Sequence, residues 1–535
     1  MMKRLALLTF ALIFWTAALF PQTVQNQLKP ISKSDFSGTL SFLASDWMEG
    51  REAGAKGGFM AADYISSMME NNGLLPFGDN ETSKNISKRS YFQDFEVIRY
   101  KTESAALSLI SKTETSKTEF QLIPAIDFEV EAFTNSLTAE APLVFAGYGI
   151  SAPDFGYDDY KKLETKGCII IVLEGFPGHA DTTSAGWKKF GKSYEDGDFS
   201  RTSKLKTAAK LGAVAIIEVN PDGSFKPSTD EIVNLSVVQS AMKSEKPADP
   251  EYEDFSYILL ADTSLPAIPS FKISSKVTNE IFEGTGISLT DAEKKAANSL
   301  ETSATLIKDK IAGISITVKS ESLLVRNVLG VIPGKDSTKS VVVGAHYDHL
   351  GIRDCRIYNG SDDNASGVAG MLAMAKSWAS SNEKPACNLI FAAWTAEEKG
   401  LLGSSFFVQN PEINNKNIPL YINFDMISRS APEDSTQLIV SVGTVKGSDS
   451  LKNLASKNNG KLARPFNLDL WECSENGGSD YASFATKKIP VMTFFSGFHD
   501  DYHSPRDISA KADLEKMAAI LNLTNNCLYE FLDSE

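Results

Sequence analysis

From about residue 320 onward the chain alternates short apolar runs with stretches whose apolar residues recur at helical spacing. Runs at 340–345, 388–394, 420–424 and 491–495 predict strands, and the stretches at 365–379, 401–409 and 510–531 predict helices. Strand, loop, helix in repetition implies an α/β domain with a mixed, largely parallel sheet flanked by helices, whose sites lie beyond the carboxyl ends of the strands. Ahead of it, 35–44 reads as a helix and 46–54 as a turn-rich segment. An amphipathic helix follows, carrying Met60, Ala61, Tyr64, Ile65, Met68 and Met69 and ending near Gly73. Residues 79–90 are polar and loop-like, and 92–97 alternates with the period of a strand.

Between about 135 and 300 the character changes to short β-rich pieces at 143–150, 168–173 and 213–219, with a helix at 203–211 before the last. Apart from His179 this stretch holds no histidine, so it is a poor candidate for a metal centre and reads as an inserted module. The expected organisation is a leader at 1–22, one domain split into 30–134 and 305–535, and the insert at 135–304.

A chain of 535 residues is too long for one ordinary core, which fits this division, and 42% hydrophobic with 23% charged residues is the composition of a soluble globular protein. The formal net charge of −15 argues against nucleic acid as a partner, since phosphate contacts need an excess of Lys and Arg. Met1-Met2-Lys3-Arg4 followed by an apolar run to Phe20 has the form of a signal peptide, so export to the periplasm or exterior is expected, with no stable membrane span after cleavage. Five scattered cysteines do not form a disulfide framework; Cys355 and Cys473, in loops flanking the candidate site, could pair or remain thiols. The Asn-x-Ser/Thr triplets at Asn80, Asn85, Asn234, Asn359, Asn364 and Asn522 read as chance, because two of them fall in that same site.

The chemistry-bearing residues gather at the predicted strand ends. His346-Tyr347-Asp348 closes the run at 340–345; alone, such a histidine is a metal ligand or a hydrogen-bonded rim residue. Asp363, in Ser361-Asp362-Asp363-Asn364-Ala365-Ser366-Gly367, precedes a helix and suits an N-cap, but two acids and an Asn exceed what capping needs. Glu397 and Glu398 follow the strand at 388–394, either as a first-turn acidic pair or divided into ligand and base. Asp425 ends an apolar strand, where a turn or a nearby cation accounts for it. Late in the chain, His499-Asp500-Asp501-Tyr502-His503-Ser504-Pro505-Arg506-Asp507 supplies further imidazoles.

Taken together and in this order, these motifs resemble the zinc aminopeptidases of metallopeptidase family 28, which includes the glutamate carboxypeptidases. The segments Leu43-Ala44-Ser45-Asp46 to Arg51 and Asn72-Gly73-Leu74 are similar to that family's N-terminal layer, and Asp158-Asp159-Tyr160 with Lys206 to Ala215 resembles a protease-associated domain. The resemblance implies a phosphorylase/hydrolase-like exopeptidase fold binding two zinc ions: one held by His346 and Asp425, the other by Glu398 and His503, with Asp363 bridging. It also implies Glu397 as general base for a water shared by the ions and Asp348 hydrogen-bonded to His346; Tyr502, beside His503, is placed either to donate to the developing oxyanion or to pack as pocket wall. His349 and His499 match no ligand position, and Asp480 falls in a pocket-wall loop without a catalytic role.

The expected function is an exported metallo-exopeptidase acting on peptides, foremost an aminopeptidase, with room for a homodimer. A carboxypeptidase or dipeptidase would share the ligands, and Arg353, Arg429 and Arg506 lie near enough to meet a substrate carboxylate. A glutaminyl cyclase shares the metal constellation but fits the insert and the 363–367 loop poorly. A receptor-like relative would be expected to have lost ligands.

Overall fold

Twelve strands suffice to describe the frame in a computed structural model. They are β1 (Phe92–Lys112), β2 (Leu137–Phe145), β3 (Ile169–Leu173), β4 (Ala215–Val219), β5 (Ser270–Ile273), β6 (Thr305–Ile332), β7 (Asp336–His346), β8 (Cys387–Trp394), β9 (Tyr421–Phe424), β10 (Ile439–Val445), β11 (Asn467–Cys473) and β12 (Val491–Phe495). The structure describes residues 28–83, 86–112, 116–131, 133–195, 199–220, 255–260, 267–410 and 414–534. The expected leader and the triplets at Asn85 and Asn234 lie outside the described residues.

The strands join in one sheet in the order β11-β10-β12-β9-β7-β8-β6-β2-β3-β4-β5. β12, β9, β7 and β8 run parallel to one another, as do β2, β3, β4 and β5. The antiparallel members β6 and β1 link the two wings. β6 is 28 residues long; its end pairs with β8 and its beginning with β2, while β1 lies along it from Ser111 opposite Lys310 to Phe92 opposite Val328. Only the first residues of β1 stood out as a strand in the sequence. Its remainder and the first half of β6 are more polar overall, yet Leu107 and Leu109 on β1 and Ala312, Ile314 and Ile316 on β6 alternate into a buried face, while residues 319–322 in the middle of β6 are exposed.

Alternation in the first wing sends Val341, Val343 and Ala345 to one face and Val342 to the other. The first face is covered by helices α1 (Ser37–Leu43), α2 (Lys56–Asn71), α3 (Gly367–Ala379) and α5 (Leu514–Ser534); α4 (Leu402–Gln409) packs Phe407 and Val408 on the second. Helix α3 is buried almost all round, which suits a helix enclosed between a sheet and other helices. A separate apolar core forms on the second wing. It takes in Leu107, Leu109, Phe128 and Phe133 as well as Ile169, Ile171, Ile217, Phe271, Ile307, Ala312, Ile314 and Ile316, so it draws on both long strands. The five cysteines are free thiols, with Cys355 exposed and the others buried, so the Cys355–Cys473 pairing is not formed. No helix among the described residues is long and apolar enough to cross a membrane.

Arg51 joins the N-terminal layer to the loops at the strand ends. Its side chain is wholly buried, and its guanidinium donates to the carbonyls of Tyr347 (2.7 Å), Leu43 (2.7 Å), Asn359 (2.5 Å) and Gly360 (2.8 Å). Burial lowers this guanidinium to about 10, while Asp363, Asp507, Asp348 and Glu398 raise it, so it stays charged at neutral pH. Methionine fills the space but leaves four buried carbonyls without their donor. The variant Arg51→Met is expected to lose at least about 3 kcal/mol of stability in the chelator-treated protein, read from urea unfolding. A loss below about 1 kcal/mol would mean that water or other groups satisfy those carbonyls.

Candidate metal centre

The parallel register brings the strand ends into line. His346, the last residue of β7, stands opposite Trp394, the last of β8, and Gly344 stands opposite Asn423 of β9, which in turn faces Thr493 of β12. Each strand therefore releases its chain at the same sheet edge: Glu397 and Glu398 after β8, Asp425 after β9, and His503 in the turns after β12. Asp363 arrives from the irregular turn Ser361–Ser366 that leads into α3.

That turn is held by its polar residues rather than by capping. Asp363 makes no cap hydrogen bond to α3. The Asp507 carboxylate accepts from the backbone N–H groups of Asp362 (2.9 Å) and Asp363 (3.1 Å). Asp362 accepts from Ser428 N–H (2.7 Å) and its hydroxyl (2.8 Å), and Asn364 donates to the Phe424 carbonyl (2.9 Å). Gly360, at φ 54°, leaves no room for a Cβ, which would lie 2.2 Å from the Asp363 carbonyl oxygen and 2.5 Å from the His349 ring.

The turn after β8 is held similarly. Asn327 on β6 accepts from Thr395 N–H (3.1 Å) and donates to the Gly403 carbonyl (2.9 Å). The buried Asp348 carboxylate accepts from the N–H groups of Glu397 (3.1 Å) and Glu398 (3.4 Å). Here the structure departs from expectation. The Asp348 carboxylate is 4.0 Å from His346 Nδ1, whereas the Asp348 backbone carbonyl is 3.2 Å from it. The carbonyl thus takes the ring proton and leaves Nε2 as the acceptor atom, while the carboxylate orders the two glutamates; two competing N–H donors draw it away from the ring.

Nε2 of His346 faces Asp425 Oδ1 at 3.3 Å and Asp363 Oδ1 at 3.4 Å. Nε2 of His503 faces the other Asp363 oxygen, Oδ2, at 3.0 Å and Glu398 Oε2 at 3.3 Å. Two ligand atoms about 2.0–2.1 Å from a tetrahedral ion are separated by roughly 3.3 Å, so both sets have the spacing of a coordination shell. Asp363 thus lies between the two imidazoles, with one oxygen towards each. His349 joins the second set through Glu398, at 2.7 Å.

The neighbouring glutamates sit in opposite environments. Burial, followed by Asp425, Asp480 and Glu398, holds the Glu397 carboxyl well above the usual range against the pull of His346. For Glu398 burial is outweighed by hydrogen bonds from His349 and His503, which hold it well below. Adjacent carboxyls pushed apart in this way suit one to carry a proton and the other to ligate. Glu397 Oε2 lies 3.9 Å from His346 Nε2, at the edge of the first set.

Tyr502 stacks on His503 with ring centroids 3.8 Å apart and is 37% exposed. Burial together with Asp363, Glu398, Asp425 and Glu397 raises its phenol, so the hydroxyl remains a donor. Of the arginines near the motifs, Arg429 and Arg506 pair with Asp501 (3.0 and 2.9 Å), and Arg353 donates to the Leu350 carbonyl (3.2 Å). Sequence reasoning assigned nothing to Arg51, Asn327, Asp362 and Asp507, whose effect runs through backbone groups that leave no pattern in a sequence. Nor did it assign a role to Asp480, a wholly buried acid that burial raises to about 7 and whose charge raises Glu397 in turn.

Residues 327–527 match the model of peptidase family M28. All the candidate ligands lie in that region. The chain is 32% identical over 203 residues to a probable leucine aminopeptidase 2 of Arthroderma benhamiae, covering 36% of this chain and 38% of the relative. It is 32% identical over 199 residues to a probable lipoprotein aminopeptidase LpqL of Mycobacterium tuberculosis, covering 34% and 37%. The chain thus aligns with less than two fifths of the length of these curated relatives. The fold is like that of an aminopeptidase from Aneurinibacillus sp. strain AM-1, with a TM-score of 0.50, 19% identity and coverage of 94% of this chain and 95% of that one. That likeness extends the mixed α/β architecture beyond the matched region.

In the ion-free protein, burial would lower the His503 imidazole, but hydrogen bonds to Asp363 and Glu398 raise it from 6.5 to about 9. Stability from that proton is complete below about pH 6.5 and is lost as the pH rises through about 9. Ion binding has the opposite sign, because the ion must displace the proton. Affinity of the His503 set is expected to rise about tenfold per pH unit from about 6.5 to 9 and then level off, in competition titrations against a chromophoric chelator. A flat profile over that window would contradict the protonated pair.

Proposed function

We propose that the protein is an exported zinc-dependent exopeptidase, foremost an aminopeptidase, that uses two zinc ions. The observation that carries this reading is the division of Asp363, whose two oxygens face His346 and His503 separately, with Glu397 alongside. Two imidazoles and three carboxylates are a donor set suited to zinc, and the fit rests on atoms already at coordination spacing. The family match and the aminopeptidase names of the relatives support the reaction class. The N-terminal Met1–Phe20 pattern supports export, and the second β-rich core is read as a protease-associated module. The pairing of Arg429 and Arg506 with Asp501 weighs against a carboxypeptidase, which needs a free cation for the substrate carboxylate.

When bound, the ions supply Lewis acidity for the scissile carbonyl and for the attacking water. Glu397 would take the proton of that water and deliver it to the leaving amine, and the environment that raises its pKa in the ion-free protein favours the delivery step. Asp348 keeps Glu397 and Glu398 in register through their N–H groups. Tyr502 donates its hydroxyl to the oxyanion. Acidic groups around the site meet a free substrate ammonium, so amino-acid arylamides are cleaved and N-blocked peptides are not.

Substitution Glu397→Gln is expected to keep the zinc content of the wild type while lowering kcat by about 10²–10⁴-fold on amino-acid arylamides. Undiminished hydrolysis in that variant would remove Glu397 from the role of base, and equal rates on free and N-blocked substrates would remove the aminopeptidase reading. For Tyr502→Phe, kcat is expected to fall about 10²-fold with KM little changed, as for loss of one oxyanion donor. A change confined to KM would make Tyr502 a wall of the substrate pocket.

A further inference from the structure

His349 takes no part in the chemistry above, yet its ring is wholly buried beside the second ligand set. Its Nδ1 lies 2.7 Å from Glu398 Oε1 and 3.6 Å from Asp363 Oδ2, and its ring meets that of His503 edge-on at 5.6 Å between centroids. A separation of 2.7 Å is well short of the roughly 3.3 Å edge between two ligands of one tetrahedral zinc ion, and it is the length of a strong hydrogen bond. Because the carboxylate can only accept, Nδ1 carries the proton and donates it. Glu398 is left with Oε2 facing His503 Nε2 at 3.3 Å. Asp425, its counterpart at His346, has no second imidazole against it among the described residues. The ring is confined by Gly360, where any side chain would collide with it.

We infer that His349 is a positioning residue: by occupying Glu398 Oε1 it makes Glu398 a one-oxygen ligand, and so raises the affinity of the His503 set for its ion relative to the His346 set. The inference rests on the two-ion reading. Outer partners of ligating carboxylates typically change metal affinity by about 10–100-fold, without touching the ion.

The test is a zinc titration of the chelator-treated full-length protein, with stoichiometry and both affinities read by competition against a chromophoric chelator. The wild type is expected to bind two ions. In His349→Ala one affinity is expected to be unchanged and the other 10–100-fold weaker. In His349→Asn, whose amide N–H can stand where Nδ1–H stood, most of the loss is expected to be recovered. If the alanine variant does not fold, His349→Leu, closer in volume and equally without a donor, takes its place. Two wild-type affinities in the donor-less variant would overturn the inference. So would an asparagine variant as weak as the donor-less one, which would reduce His349 to packing. A wild type that binds a single ion would instead refute the two-ion reading itself.

Discussion

Six carboxyl groups, those of Asp348, Asp363, Glu397, Glu398, Asp425 and Asp480, converge at one edge of the sheet, most of them cut off from water. Buried like charges cannot all ionise unless cations, protons or N–H donors offset them, and the rest of this structure follows from how that is done. Two imidazoles divide Asp363 between them, and a third donates to Glu398. Backbone N–H groups receive Asp348 and Asp507, Glu397 is held in a proton-bearing environment, and Arg51 adds a permanent positive charge beneath the loops. Such an arrangement is poised for divalent cations because much of the cost of gathering the ligands is met by the fold.

This constraint explains why so much of the chain is committed to holding short loops. Arg51 brings the N-terminal layer onto the carbonyls of Tyr347, Asn359 and Gly360, and Asn327 on the long strand β6 braces the turn that carries both glutamates. Because β6 continues into the second wing, that wing is built onto the same strand that supports the turn carrying the two glutamates. The side chains at the sheet edge are therefore held at fixed separations by the fold, with Tyr502 partly exposed beside them.

Much of this could be read in advance. The strand and helix pattern after residue 320 is legible because those strands are apolar throughout and the helices between them bury a broad face. The candidate ligands are legible because charged residues at the ends of such strands are expensive without a partner. The outer reaches of β1 and β6, by contrast, mix short alternating stretches such as Ala312, Ile314 and Ile316 with polar exposed residues, a weaker signal than a continuous apolar run. The expected contact between the Asp348 carboxylate and His346 fails for a local reason, since the Glu397 and Glu398 amides compete for that carboxylate and the Asp348 carbonyl is closer to the ring. Cys355 and Cys473, both near the site in sequence, end as one exposed and one buried thiol.

The sequence by itself determined which residue types reach the sheet edge and in what order, because strand periodicity fixes where each chain leaves the sheet. It also carried the likeness from which two zinc ions and a glutamate base were expected. Only the tertiary structure decided that His349 contacts Glu398, that Asp348 serves the glutamates, and that Arg51 and Asp507 hold the ligand loops. Those roles depend on angles and on distances of a few tenths of an ångström between backbone groups far apart in the chain. Hydrogen bonds to main-chain atoms can be made by many side chains and leave no residue pattern of their own.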